Sequence, residues 1–309
     1  MIPLSYADPA IARTYVDAVL SLSALGMPKF GRPLILANYT DVTATMSSLE
    51  QVEGALDLVQ DHVQGLEEGH PRRYLAALIR ASRTVISILR DEDRPYRELV
   101  QGILEIDHVA IPASEAEALR QRLHDDLGIL GYEGALEVQV PSWLEATSLT
   151  GDAVIEFGQS IIDDARRDTE AKVLTLPEGE GIDSFTGIRN VHYSGRSQYT
   201  GDYRGWLHFN VDKAWQRDLF VHVLCHEAYP GHQTFYALWD HLYQQGRWPV
   251  EAAYYQLNNP TNAVFEGGPE IAMHMLGWDD GDSHEAVALR AAVAYMDLGR
   301  IAMNNACLW

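Results

Sequence analysis

Two histidines and a glutamate fall within the seven residues His226-Glu227-Ala228-Tyr229-Pro230-Gly231-His232. Imidazole nitrogens and carboxylate oxygens are ligands for a divalent transition metal, and a glutamate next to a ligating histidine can take a proton from water. The order is close to H-E-x-x-H, in which one helix offers both histidines to zinc and the glutamate is the general base. The spacing differs. Histidines four apart sit about 40° apart on a helix of 3.6 residues per turn, whereas histidines six apart sit about 240° apart. An unbroken helix cannot aim that second pair at one ion. Pro230 and Gly231 therefore carry an expectation: the helix through Leu219–Glu227 breaks near Pro230, and His232 swings back beside His226.

A catalytic zinc takes three protein ligands and leaves one position for water. The leading third ligand is Glu266, in Phe265-Glu266-Gly267-Gly268-Pro269-Glu270, where the glycine pair would let another backbone or an ion come close. Glu270, one turn on, is placed to orient a ligand histidine through its other ring nitrogen. Glu251, Asp240 and His241 are weaker candidates, and His222 reads as core or as support for His226. Cys225 adjoins His226 but faces another way and reads as packing. Beside Glu227, a donor must meet developing oxyanion charge. Tyr203 and His208 are the catalytic candidates for that, with His192 and Tyr254 behind them; Arg204 or Arg196 could hold a substrate carboxylate, but each reads first as a member of a surface salt bridge. The expected cofactor is one Zn2+ per chain.

The elements that must position these residues are mostly helices. Asp8-Pro9 opens one that runs to about Leu25, with Gly26 as its stop. Ser47–Glu50 and Ser114–Glu117 have capping-box spacing, and each precedes an apolar stripe of helical period. Pro71 and Pro95 open two more helices, the second reaching about Val109, and a further amphipathic run covers Ala153 to about Val173. Residues 175–212 differ, being rich in Gly, Tyr, Arg and Ser. They close on Trp206-Leu207-His208-Phe209-Asn210-Val211-Asp212, which alternates like a strand. The edge of such a strand, just before the metal helix, could take an extended peptide; an ordinary surface hairpin is the alternative. Helices follow at about Gln233–Gln245, Val250–Leu257, Thr261–Leu276 (interrupted near Pro269) and Ser283–Asn305. The expected fold is mainly α with a small β element beside the metal helix. A helical region over 1–174 would form one wall of a cleft, and 175–309 would carry the metal site.

The 309 residues suffice for a large core, and 47% of them are hydrophobic, which excludes a disordered chain. The net charge of -21 argues against nucleic acid and anionic membranes as partners. Two cysteines make no disulfide framework, the N-terminus lacks signal-peptide character, and no stretch approaches a membrane span. These features point to a cytoplasmic protein. The apolar helix that runs into Ala306-Cys307-Leu308-Trp309 meets no stop signal, which suggests a C-terminal truncation or a partner surface.

H-E-x-x-P-G-H followed by a Glu-Gly element resembles a bacterial family known mainly as a domain of unknown function. That family is similar to gluzincin zinc metallopeptidases and, distantly, to carboxypeptidase Taq and thimet oligopeptidase. Tyr199-Thr200-Gly201-Asp202-Tyr203-Arg204, running into Phe209-Asn210-Val211-Asp212, carries the same resemblance, which covers roughly residues 186–275. It implies a large helical metallopeptidase-like fold, zinc on His226, His232 and Glu266, and Glu227 as base. The family's E-G-W-A-x-Y-x-E pattern is altered here to Glu266-Gly267-Gly268-Pro269-Glu270, with Met273 where a second acid is expected.

The function expected from these residues is zinc-dependent hydrolysis of a peptide or small amide substrate. The alternative is an inactive or truncated metal-binding relative that acts as a binding module. A facial-triad Fe(II) oxygenase would use the same ligand set, but it has no evident need for Glu227.

Overall fold

The computed structural model describes residues 4–308. Trp309, part of the apolar end noted above, lies outside them. In chain order the first elements are α1 (Pro9–Phe30), β1 (Ile35–Asn38), α2 (Leu49–Gln64), α3 (His70–Leu89) and α4 (Tyr96–Leu104). Next come α5 (Ala113–Ile129), α6 (Leu136–Ala146), β2 (Ser148–Leu149) and α7 (Asp152–Lys172). The strands β3 (Gly181–Ile188), β4 (Gly195–Gly201), β5 (Arg204–Asn210) and β6 (Trp215–Gln216) lead into α8 (Arg217–Glu227) and α9 (His232–Gln244). The chain closes with β7 (Tyr254–Gln256), α10 (Asn262–Glu270), α11 (Ala272–Leu276) and α12 (His284–Ala306). The fold is mainly helical, with small sheets of two and three strands. Among the described residues no helix is long and apolar enough to cross a membrane.

Several boundaries differ from the sequence expectation, each for a local reason. Helix α1 runs through Gly26 and stops at Gly31, whose φ of 68° is left-handed. Gly26 is interior because a Cβ there would come within 2.9 Å of the Phe30 ring. The capping box of α2 sits one residue later than expected. Ser48 Oγ accepts from Gln51 N, and Gln51 Oε1 reaches back to Ser47 N at 2.7 Å. Helix α5 starts before Ser114 and has no side-chain cap. Helix α4 ends at Leu104, where Glu105 turns left-handed and Arg80 grips its carboxylate with two 2.9 Å bonds. Val250–Leu257 is not an α-helix: a short 3-10 turn over Val250–Ala252 is followed by β7, which pairs antiparallel with β1.

Two compact units divide the chain: Met1–His108 with Tyr236–Phe265, and Val109–Phe235 with Glu266–Trp309. In the first, α1, α2 and α3 bury Tyr15, Val19, Leu22, Leu56, Leu75, Leu78 and Ile79 in one cluster. Glu251 is fully buried there and accepts from Ser5 Oγ, Tyr6 N and Ala7 N. Tyr254 is buried too, its hydroxyl 2.9 Å from that of Tyr15. Both residues, weighed from sequence as ligand and oxyanion donor, are thus structural members of that core.

The second unit holds every residue of the HEAYPGH segment together with Glu266 and Glu270. Strand β5 lies in the middle of its three-stranded sheet, parallel to β3 on one side and antiparallel to β4 on the other. The expected open edge of this strand therefore does not exist; its backbone groups are taken by β3 and β4. The alternation itself is as read: Leu207 and Phe209 face the core at 1% and 0% exposure, and Trp206 and His208 share the other face. Phe209 meets Phe220 of α8 edge-on at 5.1 Å, and Trp215 packs on Phe220 at 4.9 Å. Gly158 of α7 lets Phe185 and Phe220 lie against its backbone, since a Cβ would come within 2.5 Å of Phe185. On a further face α12 packs against α5, with Ala291, Ala292 and Ala294 over Leu123, Leu127 and Trp143.

Phe220 is the anchor that sets α8 on the sheet, so Phe220→Ala should cost about 3–5 kcal/mol through the cavity it leaves. Urea unfolding monitored by circular dichroism measures this; a loss below about 1 kcal/mol would contradict the anchoring role.

Candidate metal centre

Helix α8 ends at Glu227 and α9 begins at His232. Between them the chain folds back on itself, and the Tyr229–Pro230 peptide is cis. Gly231 lies directly on the end of α8: a Cβ there would be 1.8 Å from His226 O and 2.3 Å from Cys225 O. No other residue type can occupy that position without moving the backbone. The close approach brings the rings of His226 and His232 to 4.6 Å between centroids, at 82° to each other. Cys225 beside them is fully buried, and burial pushes its thiol up.

Glu266 and Glu270 sit four apart on α10, so both carboxylates leave one helix face. Glu266 Oε2 lies 3.5 Å from His226 Nε2 and 3.7 Å from His232 Nε2. Donors held at about 2.0–2.1 Å around a tetrahedral ion are about 3.4 Å apart, so these separations fit one small metal ion. All three ligand atoms lie within 4.8 Å of one another. The histidines are largely enclosed, whereas the Glu266 side chain is 42% exposed, which leaves an approach for water or a ligand.

Glu270 does different work. Its Oε1 faces His226 Nδ1 at 3.1 Å and its Oε2 faces His222 Nε2 at 3.2 Å. Arg300 of α12 also lies on Oε2. His222, His226 and Glu270 form a second group with metal-ligand spacing, but the Arg300 guanidinium at that carboxylate opposes a cation there. The arrangement instead matches a carboxylate that orients a ligand histidine: Glu270 accepts a hydrogen bond from His226 Nδ1–H and leaves Nε2 turned toward Glu266. A third such group, His274, Asp279 and Asp280, lies at the surface, with the His274 side chain 70% exposed.

The charges follow from this geometry. Burial works against a protonated His226, but hydrogen bonds to Glu266 and Glu270 and the charge of Glu227 outweigh it and raise the ring to about 9. His232 is pushed down, by burial first and by neighbouring His226 as well, against the pull of Glu227 and Glu266. One proton thus occupies the pair, on His226. Burial works to raise Glu270, but His222, His226 and Arg300 hold it well below the ordinary carboxylate range.

The other residues picked from sequence lie elsewhere. His208 stacks on Trp206 at 3.9 Å, and burial and Arg196 lower its ring. Tyr203 sits at φ 63° in the β4–β5 turn; its carbonyl accepts from Gln233 and its amide donates to Tyr199 Oη. His192 is exposed beside Tyr193. Arg204 is paired with Asp183, and Arg196 lies over Trp206 at 5.7 Å. Of the two glycines after Glu266 only Gly268 is needed for packing: a Cβ there would meet the Phe235 ring at 2.5 Å, whereas one at Gly267 would meet nothing within 4 Å, so an aromatic ring, not an ion or a backbone, comes close at the pair. Arg300 was missed from sequence, since nothing in an apolar helix thirty residues beyond Glu270 marks it. His222 carried a usable signal, its i, i+4 spacing to His226. The chain matches no family model, no curated protein and no solved structure.

Two outcomes are expected of this centre. Gly231→Ala should abolish metal uptake, read by chelator competition, because a Cβ overlapping the His226 and Cys225 carbonyls would push the turn, and His232 with it, off the end of α8. A ligating imidazole must be neutral, so below about 9 a metal must displace the His226 proton. Apparent affinity should therefore rise about tenfold per pH unit from neutrality and level off above about 9. Calorimetry in buffers of different ionisation enthalpy should show at least one proton released per ion at pH 7.

Proposed function

We propose that this protein is a zinc-dependent hydrolase of peptide or small amide bonds. The reading rests chiefly on the three donors around one point, Nε2 of His226, Nε2 of His232 and Oε2 of Glu266, with Glu227 directly after the first ligand. Two imidazoles and a carboxylate suit zinc in its catalytic form, with a coordination position left for water. A bound zinc would supply Lewis acidity and lower the pKa of water at the site to about 7.

The chain's own groups do the rest. Glu227 is only partly exposed, and its charge acts on both His226 and His232, as suits a carboxylate beside the ion. It accepts a proton from the attacking water and returns it to the leaving amine. Glu270 holds His226 by Nδ1, so Nε2 is the ligating atom. Arg300 and His222 keep Glu270 ionised, which makes the His226 ring a stronger donor. The resemblance to gluzincin metallopeptidases in the H-E-x-x-P-G-H and Glu-Gly segments agrees with this assignment.

The decisive comparison is wild type against Glu227→Gln, each loaded with zinc and offered a mixed peptide library followed by mass spectrometry. The variant should keep about one zinc per chain and lose roughly 10²–10⁴-fold in cleavage rate. Full activity in the variant would remove Glu227 from the mechanism. Zinc-loaded wild type that cleaves nothing would turn the assignment to a binding module.

A further inference from the structure

Glu180, just before β3, has a side chain with no solvent exposure. A carboxylate costs several kcal/mol to bury unless its lone pairs are met, and here they are. Oε1 accepts from Tyr229 Oη at 2.7 Å and from Gln233 Nε2 at 2.9 Å, and Oε2 faces Arg166 Nε at 3.3 Å. Tyr229 and Gln233 stand on opposite sides of the Pro230–Gly231 turn, and Gln233 directly follows His232. One carboxylate oxygen therefore ties the chain entering the turn to the chain leaving it. The Gln233 amide also reaches Tyr203 O at 2.9 Å and Gly181 O at 3.2 Å, which fixes the same point to the sheet. Across the same turn the backbone adds one long bond, Thr234 N to Ala228 O at 3.4 Å.

We propose that Glu180 is the positioning residue that holds this turn closed and so sets the bearing of His232 on His226. It touches no ligand atom; it acts through Tyr229 and Gln233. Without this acceptor the buried Tyr229 hydroxyl would be left unsatisfied and Gln233 would keep only its bonds to the sheet, so the tie across the turn would be lost. The effect on metal rests on the reading of His226, His232 and Glu266 as ligands; the effect on the turn does not.

The test reads both. Glu180→Ala, Tyr229→Phe and the double variant are compared with wild type, with circular dichroism and thermal melting to establish folding. Hydrogen exchange by mass spectrometry on metal-free protein follows the amides of residues 228–235, which include Thr234 N bonded to Ala228 O and Phe235 N bonded to Gly231 O. These should exchange at least about tenfold faster in Glu180→Ala, less so in Tyr229→Phe, with α12 unchanged. Zinc affinity by chelator competition should fall about 10–100-fold in Glu180→Ala. The double variant should be no weaker than Glu180→Ala, because both changes remove bonds to one oxygen. Wild-type exchange rates in both folded single variants would overturn the proposal. If Glu180→Ala fails to fold, Tyr229→Phe decides alone. Faster exchange with unchanged zinc affinity would overturn the link to His232. Faster exchange in Glu180→Ala, with wild type that takes up no zinc, would leave the turn clamp standing and sink the metal reading.

Discussion

Everything at this centre depends on the contact of Gly231 with the last turn of α8. The chain leaves one helix at Glu227, and by His232 it has started another. The two histidine rings meet only because the intervening backbone lies against the carbonyls of Cys225 and His226, where a Cβ would overlap. That is a constraint of excluded volume, enforced at short range and tolerant of only one residue type. A helix carrying both histidines needs no such device with four-residue spacing. With six-residue spacing it does.

Charge is arranged around that contact in layers. The cluster contains three histidines and three carboxylates on α8, α9 and α10, in a chain of net charge -21. Glu266 is half-exposed and shared between two imidazoles, so it can be given up to an ion. Glu270 is bound on both oxygens, by His226, His222 and Arg300, and is committed to the protein. Two acids one helical turn apart thus have different tasks, set by what faces them. His222 and His226, with Arg300 behind them, make the division: they keep the inner carboxylate ionised and leave the outer one shared between two imidazoles.

The sheet contributes rigidity. With β5 hydrogen-bonded on both sides, its residues are fixed to β3 and β4, and its apolar face carries Phe209 onto Phe220 of α8. The first turn of α8 is set by Gln216, whose side chain accepts from Leu219 N, while the C-terminal end of α8 carries His226. Glu180 at the start of β3 then reaches the turn from the sheet side. The residues able to hold a metal stand at the meeting of a packed helix, a fully paired strand and a buried polar knot.

Much of this was legible in the sequence. Histidine spacing, the Pro-Gly break and the recurrence of Glu266 and Glu270 at one helical turn are local facts, and local backbone preference is what sequence expresses best. The alternation of Leu207 and Phe209 with Trp206 and His208 gave the faces of β5 for the same reason. Alternation says nothing about what lies at a strand's edges, and there the sequence left an open edge and a surface hairpin as equal alternatives; β5 pairs with both β4 and β3. Helix stops failed likewise: Gly26 reads as a terminator until Phe30 packs over it. The roles of Glu180, His222 and Arg300 come from bonds spanning 48 to 53 residues or an adjacent helix. The sequence by itself determined which groups can do chemistry and where the chain must bend. Only the tertiary structure decided which carboxylate faces which nitrogen, because that depends on long-range packing to which no local pattern is tied.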